Sequence, residues 1–273
     1  MAKLYIVGTP IGNLGDISTR CLETLSTVDF IACEDTRVTS KLLARYDIKK
    51  PLISYYEHNR AEKGQHIASR IAEGENCALV TDAGTPAISD PGTDLVKICQ
   101  DNGLDVVAVP GPSAVISALS ISGMDCGRFC FEGFLSVNNK SRREHLEDIK
   151  NEKRTMVFYE APHKLLRTLK DFYAVLGDRE IALCRELTKI HEEVFKTTLC
   201  KAVEHYEENT PKGEFVLIIA GKSEDENENE EVDGIALVNA LVEEGMSTRD
   251  AVKQIAKQYN LNKNQLYKDV TSQ

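Results

Sequence analysis

The sequence lacks long apolar runs, and this absence excludes two classes of protein. Its longest clean apolar stretch, residues 215–220, is far shorter than the roughly 18 residues that a membrane helix needs. The first residues reach Gly8 and Pro10 too soon for the apolar segment of a signal peptide. We therefore expect a cytoplasmic protein with no membrane partner.

Metal-binding and disulfide patterns are also missing. The chain has eight cysteines but no C-x-x-C pair, and its six histidines show no metal-ligand spacing. Most of the cysteines, among them Cys33, Cys77, Cys99 and Cys184, lie in apolar runs. We expect reduced thiols in a protein core and no metal site.

Acidic residues outnumber basic ones over the whole chain, but some segments are locally rich in Lys and Arg. The formal net charge is −10, and the run 223–233 carries seven acidic residues and no basic one, so that −3 remains for the rest. Segment 140–154 holds six Lys and Arg against four acids, and segment 247–268 holds five against Asp250 alone. Because charge distribution matters more than the total, the acidic sum does not exclude RNA as a partner.

Residues 81–92, TDAGTPAISDPG, form a loop that we name the central loop. It follows the apolar run 77–80, which predicts a buried strand, and it precedes a helical pattern. Its glycines and prolines specify a rigid, non-repetitive backbone. Such a loop at the carboxyl end of a strand is where open α/β sheets hold ligands, although an ordinary connection is the alternative.

Apolar runs and helical patterns alternate through the first part of the chain. We predict strands at residues 3–7, 29–33, 51–55, 77–80 and 105–109. A helix follows each strand, and Asp16 is the expected N-cap of the first helix. Strands that alternate with helices predict a parallel sheet with right-handed crossovers.

The alternation stops near residue 124. Further strands are predicted at 129–134, 155–159, 180–186, 193–200 and 214–220, with helices at 139–152 and after Pro162. Longer strand-to-strand runs and one bare hairpin predict a mixed sheet. The tail has helical patterns, with capping boxes at Ser247 with Asp250 and at Asn262 with Gln265.

These patterns divide the chain into four predicted parts. They are an N-terminal α/β lobe with the ligand loops (1–124), a C-terminal α/β lobe that completes the cleft (125–221), an acidic linker (222–233) and a helical RNA-binding tail (234–273). The linker composition is too polar to form a packed core.

Proline stands where a phosphate-binding loop needs backbone donors. Gly8 and Gly12 follow a strand and precede a helix, but Pro10 replaces the middle glycine of the dinucleotide fingerprint. The central loop and the loop after the fifth strand also carry prolines, which offer carbonyl groups but no N–H. Three such loops suit a ligand without phosphates, such as the sulfonium cation S-adenosylmethionine.

A series of ordered motifs between residue 3 and about residue 221 resembles one family. The motifs are LYIVGTPIGNL at 4–14, EDTR at 34–37, the central loop, VPGPSA at 109–114, FYEAPH at 158–163, RELTK at 185–189 and GEF at 213–215. They resemble the tetrapyrrole-methylase superfamily, and within it the branch that methylates the 2′-oxygen of a cytidine ribose in 16S rRNA. The resemblance implies an α/β fold of two lobes, a parallel five-stranded sheet and then a mixed sheet, with a small helical C-terminal module.

The resemblance also implies that the chain holds S-adenosylmethionine between its lobes and works as a homodimer on 16S rRNA or the small ribosomal subunit. Carried over by position, the cofactor contacts are Pro10, Ile11, Thr85, Pro86, Ala87, Ile88, Ser113, Ala114, Tyr159, Leu187 and Val216.

Asp35 and Glu160 are the candidate catalytic bases. A ribose hydroxyl is a poor nucleophile and gains from a nearby proton acceptor, although alignment of the reacting atoms can supply much of the catalysis. Each carboxylate has a structural alternative, because Asp35 can cap the following helix and Glu160 can pair with an arginine.

Five basic residues are candidates for contact with RNA. Arg20 and Arg37 lie near the predicted cofactor loops, and Lys253, Lys257 and Lys263 lie in the tail. Such side chains bind backbone phosphates without reading sequence. Local salt bridges and a solvated helix face are the alternatives.

Three functions stay open at this point. The leading one is an S-adenosylmethionine-dependent ribose methyltransferase of small-subunit rRNA. The second is a methylase of a small tetrapyrrole on the same fold, and the third is a non-catalytic RNA-binding assembly factor. Methyl transfer in vitro separates the third from the others, and the choice of substrate separates the first two.

Overall fold

The computed structural model describes residues 2–223, 234–259 and 262–271. They form two compact units, Met1–Gly221 and Lys222–Gln273. Most of the predicted acidic linker, residues 224–233, lies outside the described residues.

The first sheet has five parallel strands, as the alternating pattern predicts. They are β1 (Lys3–Val7), β2 (Phe30–Cys33), β3 (Leu52–Ser54), β4 (Cys77–Val80) and β5 (Asp105–Val109). Their order across the sheet is β3-β2-β4-β1-β5. Strands β2 and β4 are buried along their whole length, which their continuous apolar sequences allow.

A helix follows each strand of this sheet. These helices are α1 (Thr19–Thr27), α2 (Thr36–Arg45), α3 (Arg60–Ala72), α4 (Thr93–Asp101) and α5 (Ala114–Ser122). Neighbouring residues of one strand, such as Phe30 and Ile31, belong to two different apolar clusters. Because successive side chains of a strand point to opposite faces, the two clusters cover both faces of the sheet.

The start of α1 differs from the prediction. Its N-cap is Ser18, whose Oγ accepts a hydrogen bond from the Cys21 N–H at 3.1 Å. Asp16 lies instead in a short 3₁₀ turn, Leu14–Asp16, that Asn13 caps. The prediction of Asp16 as the cap was wrong because the loop after β1 makes this additional turn before the helix begins.

The second sheet is mixed, as predicted. Its strands are β6 (Phe129–Gly133), β7 (Thr155–Glu160), β8 (Glu180–Arg185), β9 (Glu193–Thr198) and β10 (Phe215–Ile219), and their order is β6-β7-β10-β8-β9. Strand β6 pairs with β7 in parallel, and the remaining pairs are antiparallel. The central strand β10 is buried throughout.

Helices cover one face of the second sheet, and one of them was not predicted. They are α6 (Asn139–Ile149), α7 (Pro162–Leu176) and α8 (Leu199–Glu208). The sequence pattern predicted a strand through residue 200, but β9 ends at Thr198 and α8 begins at once. Leu199 and Ala202 of α8 are buried in the same cluster as Phe158 and Phe172.

Helix α5 connects the two sheets. It follows β5 of the first sheet, yet its buried residues Val115, Ala118 and Leu119 pack with Val157 and Val216 of the second sheet. This packing contributes to the single unit Met1–Gly221. The unit therefore has two sheets with one shared helix.

The Lys222–Gln273 unit contains α9 (Gly234–Glu243), α10 (Thr248–Gln258) and α11 (Lys263–Thr271). Both predicted caps form: the Asp250 N–H donates to Ser247 Oγ at 3.2 Å, and the Gln265 N–H donates to Asn262 Oδ1 at 3.1 Å. The helices share an apolar core of their own, formed by Val238, Ala251, Val252, Ile255, Ala256 and Leu266.

All eight cysteines are free thiols, and Cys21, Cys33, Cys77, Cys99 and Cys184 are buried. Across residues 2–223, 234–259 and 262–271, no helix combines the length and apolar character of a bilayer span. Within the same ranges, no three His, Cys, Asp or Glu side chains are grouped as metal ligands.

Candidate active site

Three loops at the carboxyl edge of the first sheet are joined to one another. Thr9 in the loop after β1 and Gly84 in the central loop exchange backbone hydrogen bonds of 2.8 and 3.1 Å. The Thr85 hydroxyl donates to the Pro112 carbonyl, in the loop after β5, at 3.4 Å. These bonds make the three proline-bearing loops one platform.

Two glycines let the loops after β1 and β5 touch. A Cβ atom at Gly8 would lie 2.8 Å from Gly111 Cα, and a Cβ atom at Gly111 would lie 2.5 Å from the Gly8 carbonyl oxygen. Real side chains do not approach backbone so closely, so this contact requires glycine at both positions.

A cavity of about 540 Å³ lies beside the platform and has walls from both sheets. This volume lies in the roughly 300–1,000 Å³ range of small-molecule sites. Its lining includes eight predicted cofactor contacts, namely Ile11, Thr85, Ile88, Ser113, Ala114, Tyr159, Leu187 and Val216. We name it the first cavity.

The other three predicted cofactor contacts lie elsewhere. Pro10 lines a second cavity, of about 430 Å³, next to the first. Pro86 is buried, and Ala87 is half-buried, and neither residue is part of the lining of the two cavities.

Strained backbone is concentrated in loops of this region. Ala87 in the central loop has φ 66°, and Glu186 and Thr188 in the loop after β8 have φ 50° and 65°. Left-handed conformations cost non-glycine residues roughly 1–3 kcal/mol, and they tend to cluster at functional sites.

Asp90 brings negative charge to the first cavity. Burial raises the pKa of this carboxyl group, and Asp82 adds to the rise, whereas a hydrogen bond with Thr81 lowers it. Burial and the charge of Asp90 likewise raise the pKa of Tyr159. The Tyr159 ring also lies 5.5 Å from that of Phe134, which shares the cavity wall.

Lys189 lies on the walls of both cavities, but carboxylates surround its charge. Its Nζ donates to Glu186 Oε1 at 2.9 Å and to Glu214 Oε2 at 2.8 Å. Burial lowers the pKa of Lys189, but the two hydrogen bonds outweigh burial and leave the pKa raised. Lys189 is therefore a charged, paired group.

Glu160 lines the first cavity and is only 4% exposed. Its carboxylate accepts hydrogen bonds from the Thr168 hydroxyl and from the Ala161 N–H, the latter at 2.8 Å. Arg142 donates to Thr168 and to Asp171. The structural alternative for Glu160, pairing with an arginine, is thus present indirectly, because Thr168 links Glu160 to Arg142.

Asp35 lies outside the lining of the first cavity. It is the N-cap of α2, and its carboxylate accepts a 2.8 Å hydrogen bond from the Arg37 N–H and others from the Arg37 guanidinium. These bonds lower the pKa of Asp35 to about 2. Both structural alternatives, the cap for Asp35 and the local salt bridge for Arg37, are present.

The other basic candidates lie on exposed surface. Arg20 is exposed on α1 and lines neither cavity. Lys253 and Lys257 are exposed on α10, four residues apart and thus on one face, and Lys263 is exposed at the start of α11.

Among the side chains that line the first cavity without a role assigned by sequence reasoning are Asp90, Phe134, Lys189 and Glu214. Three of these four, Asp90, Lys189 and Glu214, lie inside motifs that were noted for other residues. Phe134 comes directly after β6, where the end of a strand was the only signal.

Residues 3–203 match the family described as tetrapyrrole (corrin/porphyrin) methylases. This chain belongs to that family. The resemblance stated for its loop motifs is confirmed.

Near relatives in the family share one name. A protein of Synechocystis sp. named ribosomal RNA small subunit methyltransferase I is 46% identical over 269 residues, which cover 98% of this chain and 96% of that protein. The Thermotoga maritima protein of the same name is 48% identical over 222 residues, which cover 81% of this chain and 100% of that protein.

A solved structure of diphthine synthase superposes with a TM-score of 0.61 at 14% identity, covering 81% of this chain and 91% of the synthase chain. At this identity the likeness shows the fold alone. The expected two-lobed α/β fold is therefore confirmed.

Proposed function

We propose that this protein is an S-adenosylmethionine-dependent methyltransferase that methylates the 2′-oxygen of a cytidine ribose in the 16S rRNA of the small ribosomal subunit. The names of its near relatives support the substrate class. The observation that carries the chemistry is the first cavity, which combines apolar walls, carboxylates and three joined loops.

The residues of this cavity fit the cofactor. Ile11, Ile88 and Leu187 offer apolar surface, and Asp90 offers negative charge to a cation. The lysine on the wall, Lys189, already has two carboxylate partners. We propose that all eleven predicted contacts hold the cofactor, with Pro10, Pro86 and Ala87 shaping the loops. When bound, S-adenosylmethionine supplies an electrophilic methyl group.

Ser113 is well placed to bind a polar group of the cofactor. It is the N-cap residue of α5, but its side chain makes no capping hydrogen bond. Ser113 lines the first cavity. An uncommitted hydroxyl at a helix N-terminus suits a carboxylate such as that of the methionine part.

Glu160 and Asp35 are the proposed proton acceptors, and geometry favours Glu160. Its carboxylate lines the first cavity, and two hydrogen bonds fix its orientation. Asp35 is the weaker candidate, because a carboxyl group with a pKa of about 2 has little affinity for a proton at neutral pH. The accepted proton would come from the ribose hydroxyl.

We propose that the helical tail binds rRNA phosphates through Lys253, Lys257 and Lys263, with Arg20 and Arg37 as further contacts on the first unit. The tail supports this role because its lysines are exposed while its apolar residues form a separate core.

We further propose a homodimer in the cytoplasm. Exposed apolar side chains support a subunit interface, since Ile116, Phe134 and Val137 are 56%, 56% and 70% exposed and Ile190 is 98% exposed. Replacing Ile116 with Glu should shift the sedimentation coefficient towards that of a monomer if α5 is part of the interface.

Mass spectrometry of 16S rRNA fragments from cells with and without this gene tests the function directly. In the deletion strain, we expect one cytidine to lack its methyl group and to be lighter by one CH₂, about 14 mass units. In vitro, the purified protein should methylate small subunits from that strain and leave a porphyrinogen unmodified. Methylation of the porphyrinogen would support a tetrapyrrole methylase, and RNA binding without transfer would support an assembly factor.

A further inference from the structure

The second cavity adjoins the first and shares part of its wall. Its volume is about 430 Å³, and Ile11, Ala83, Lys189 and Glu214 line both cavities. The remaining walls come from the loop after β1, from α2 and from Asp82 of the central loop. A ligand in the second cavity would thus lie next to a ligand in the first.

Besides the paired Lys189, two cations line the second cavity. Lys41 and Arg45 lie four residues apart on α2, so they extend from the same face of the helix, and both are exposed. Among the residues that the structure describes, neither forms an ion pair, in contrast to Arg37, which binds Asp35. With Lys189 paired to Glu214, Lys41 and Arg45 outnumber the remaining carboxylate of the lining, Asp82, so this concave surface favours an anionic ligand.

Apolar side chains adjoin these cations. Leu14 and Val38 line the second cavity although they are 44% and 39% exposed. A hydrogen bond of 2.9 Å from the Tyr46 hydroxyl to the Leu14 carbonyl ties this loop to the end of α2. The apolar surface therefore has a defined position beside Lys41 and Arg45, and it can contact the flat face of a base.

We propose that the second cavity binds the acceptor nucleotide of single-stranded RNA, with its phosphates on Lys41 and Arg45 and its base against Leu14 and Val38. This proposal rests on the proposed function and adds the position of the substrate. Ile11, Ala83, Lys189 and Glu214 line both cavities, so a ribose bound at this boundary would face the first cavity, where the methyl group and Glu160 are proposed to lie. Single-stranded RNA suits such a site because its bases are free to turn outward.

Charge reversal of the two cations tests the proposal. In the full-length protein, the double variant Lys41→Glu, Arg45→Glu is compared with Lys49→Glu, Lys50→Glu, which makes the same change in net charge just beyond α2 and outside both cavities. Direct binding is measured at several salt concentrations with two probes. One is small subunits from the deletion strain, and the other is a single-stranded oligonucleotide with the rRNA sequence around the methylated cytidine. Calorimetry with S-adenosylmethionine measures the first cavity independently.

We expect the Lys41, Arg45 variant to bind both RNA probes about 10- to 100-fold more weakly than the control, with unchanged cofactor affinity. The slope of log affinity against log salt should become less steep by about 1.4, because each of the two lost phosphate contacts with a single strand contributes roughly 0.7. Equal RNA affinities and equal slopes for the two double variants would overturn the proposal. Because binding needs no turnover, a wild-type protein that binds RNA but transfers no methyl group would contradict the proposed function and leave this comparison intact.

Discussion

Thr9 and Gly84 exchange two backbone hydrogen bonds, of 2.8 and 3.1 Å, although 75 residues separate them in sequence. This pair joins the loop after β1 to the central loop in the way that two strands pair. The floor of the first cavity is therefore part of the fold and does not depend on a ligand to assemble it. Substitutions on that floor should change binding more than stability.

Thr85→Arg should abolish cofactor binding and leave the protein folded. Thr85 lines the first cavity, so a long cationic side chain would occupy ligand space and repel a sulfonium. We expect a loss of several kcal/mol in binding free energy. Calorimetry measures the affinity, and the thermal unfolding midpoint reports the fold.

Thr85→Val is the matched control for this change. Valine keeps the shape and loses only the 3.4 Å hydrogen bond to the Pro112 carbonyl, so cofactor affinity should stay near that of the wild type. If the arginine variant is folded and binds S-adenosylmethionine as well as the valine variant does, the central loop is not part of the cofactor site.

Glu160→Gln should lower kcat by about 10²–10⁴-fold while leaving RNA and cofactor affinities intact, as expected for loss of a general base. The amide oxygen can still accept one of the hydrogen bonds that Thr168 and Ala161 now donate. Single-turnover methylation of small subunits gives the rate of transfer.

Asp35→Asn serves as the comparison, because asparagine is also a good N-cap for α2. We expect a smaller loss of rate, since the low pKa of Asp35 makes it a weak proton acceptor. Near wild-type turnover in both variants would mean that alignment of the reacting atoms carries the catalysis without either carboxylate.

The parallel sheet could be predicted because its strands have simple physical signatures. Strands β2 and β4 read as short, continuous apolar runs, and this is what burial on both faces selects. Helix α8 could not be predicted from its start, since Thr197, Thr198 and Leu199 suit a strand as well. Packing of Leu199 and Ala202 against the second sheet decides in favour of the helix.

Cofactor contacts could be predicted only through the resemblance of whole motifs. Which way each loop residue points was not predictable, as Asp82 and Asp90 illustrate: both lie in the central loop, but they line different cavities. The left-handed backbone at Gly84 and Ala87 turns the chain between them. A non-glycine residue in that conformation depends on tertiary contacts and has no reliable sequence signal.

The raised pKa of Asp90 predicts that cofactor binding weakens in acid. As pH falls from neutral through this raised pKa, Asp90 gains a proton and loses the charge that attracts a cation. Asp90→Asn should therefore weaken binding about tenfold at neutral pH and flatten the decline on the acid side. Calorimetry between pH 5 and pH 8, roughly the range that proteins tolerate best, measures both effects.

Asp82→Asn is the control for that experiment. It removes a carboxylate from the same loop, but one that lines the second cavity, so cofactor affinity at neutral pH should stay near that of the wild type. Because the charge of Asp82 contributes to the raised pKa of Asp90, the acid decline should persist but move to lower pH. An Asp90 variant with the wild-type pH profile would show that another group governs the acid decline.

Truncation after Gly221 should keep the fold and the cofactor site and weaken the use of ribosomal substrate. All residues that line the two cavities lie within Met1–Gly221, and the tail has its own apolar core. We expect unchanged affinity for S-adenosylmethionine, a higher KM for small subunits and a flatter salt dependence, since the tail lysines no longer contact phosphates.

The full-length variant Lys253→Glu, Lys257→Glu should change KM in the same direction with the tail still present. If the acidic run competes with phosphate for the same lysines, neutralising its acidic residues from Glu224 to Asp233 should have the opposite effect, most clearly at low salt. If the truncated protein unfolds or loses its oligomeric state, the tail is structural and its lysines are a solvated surface.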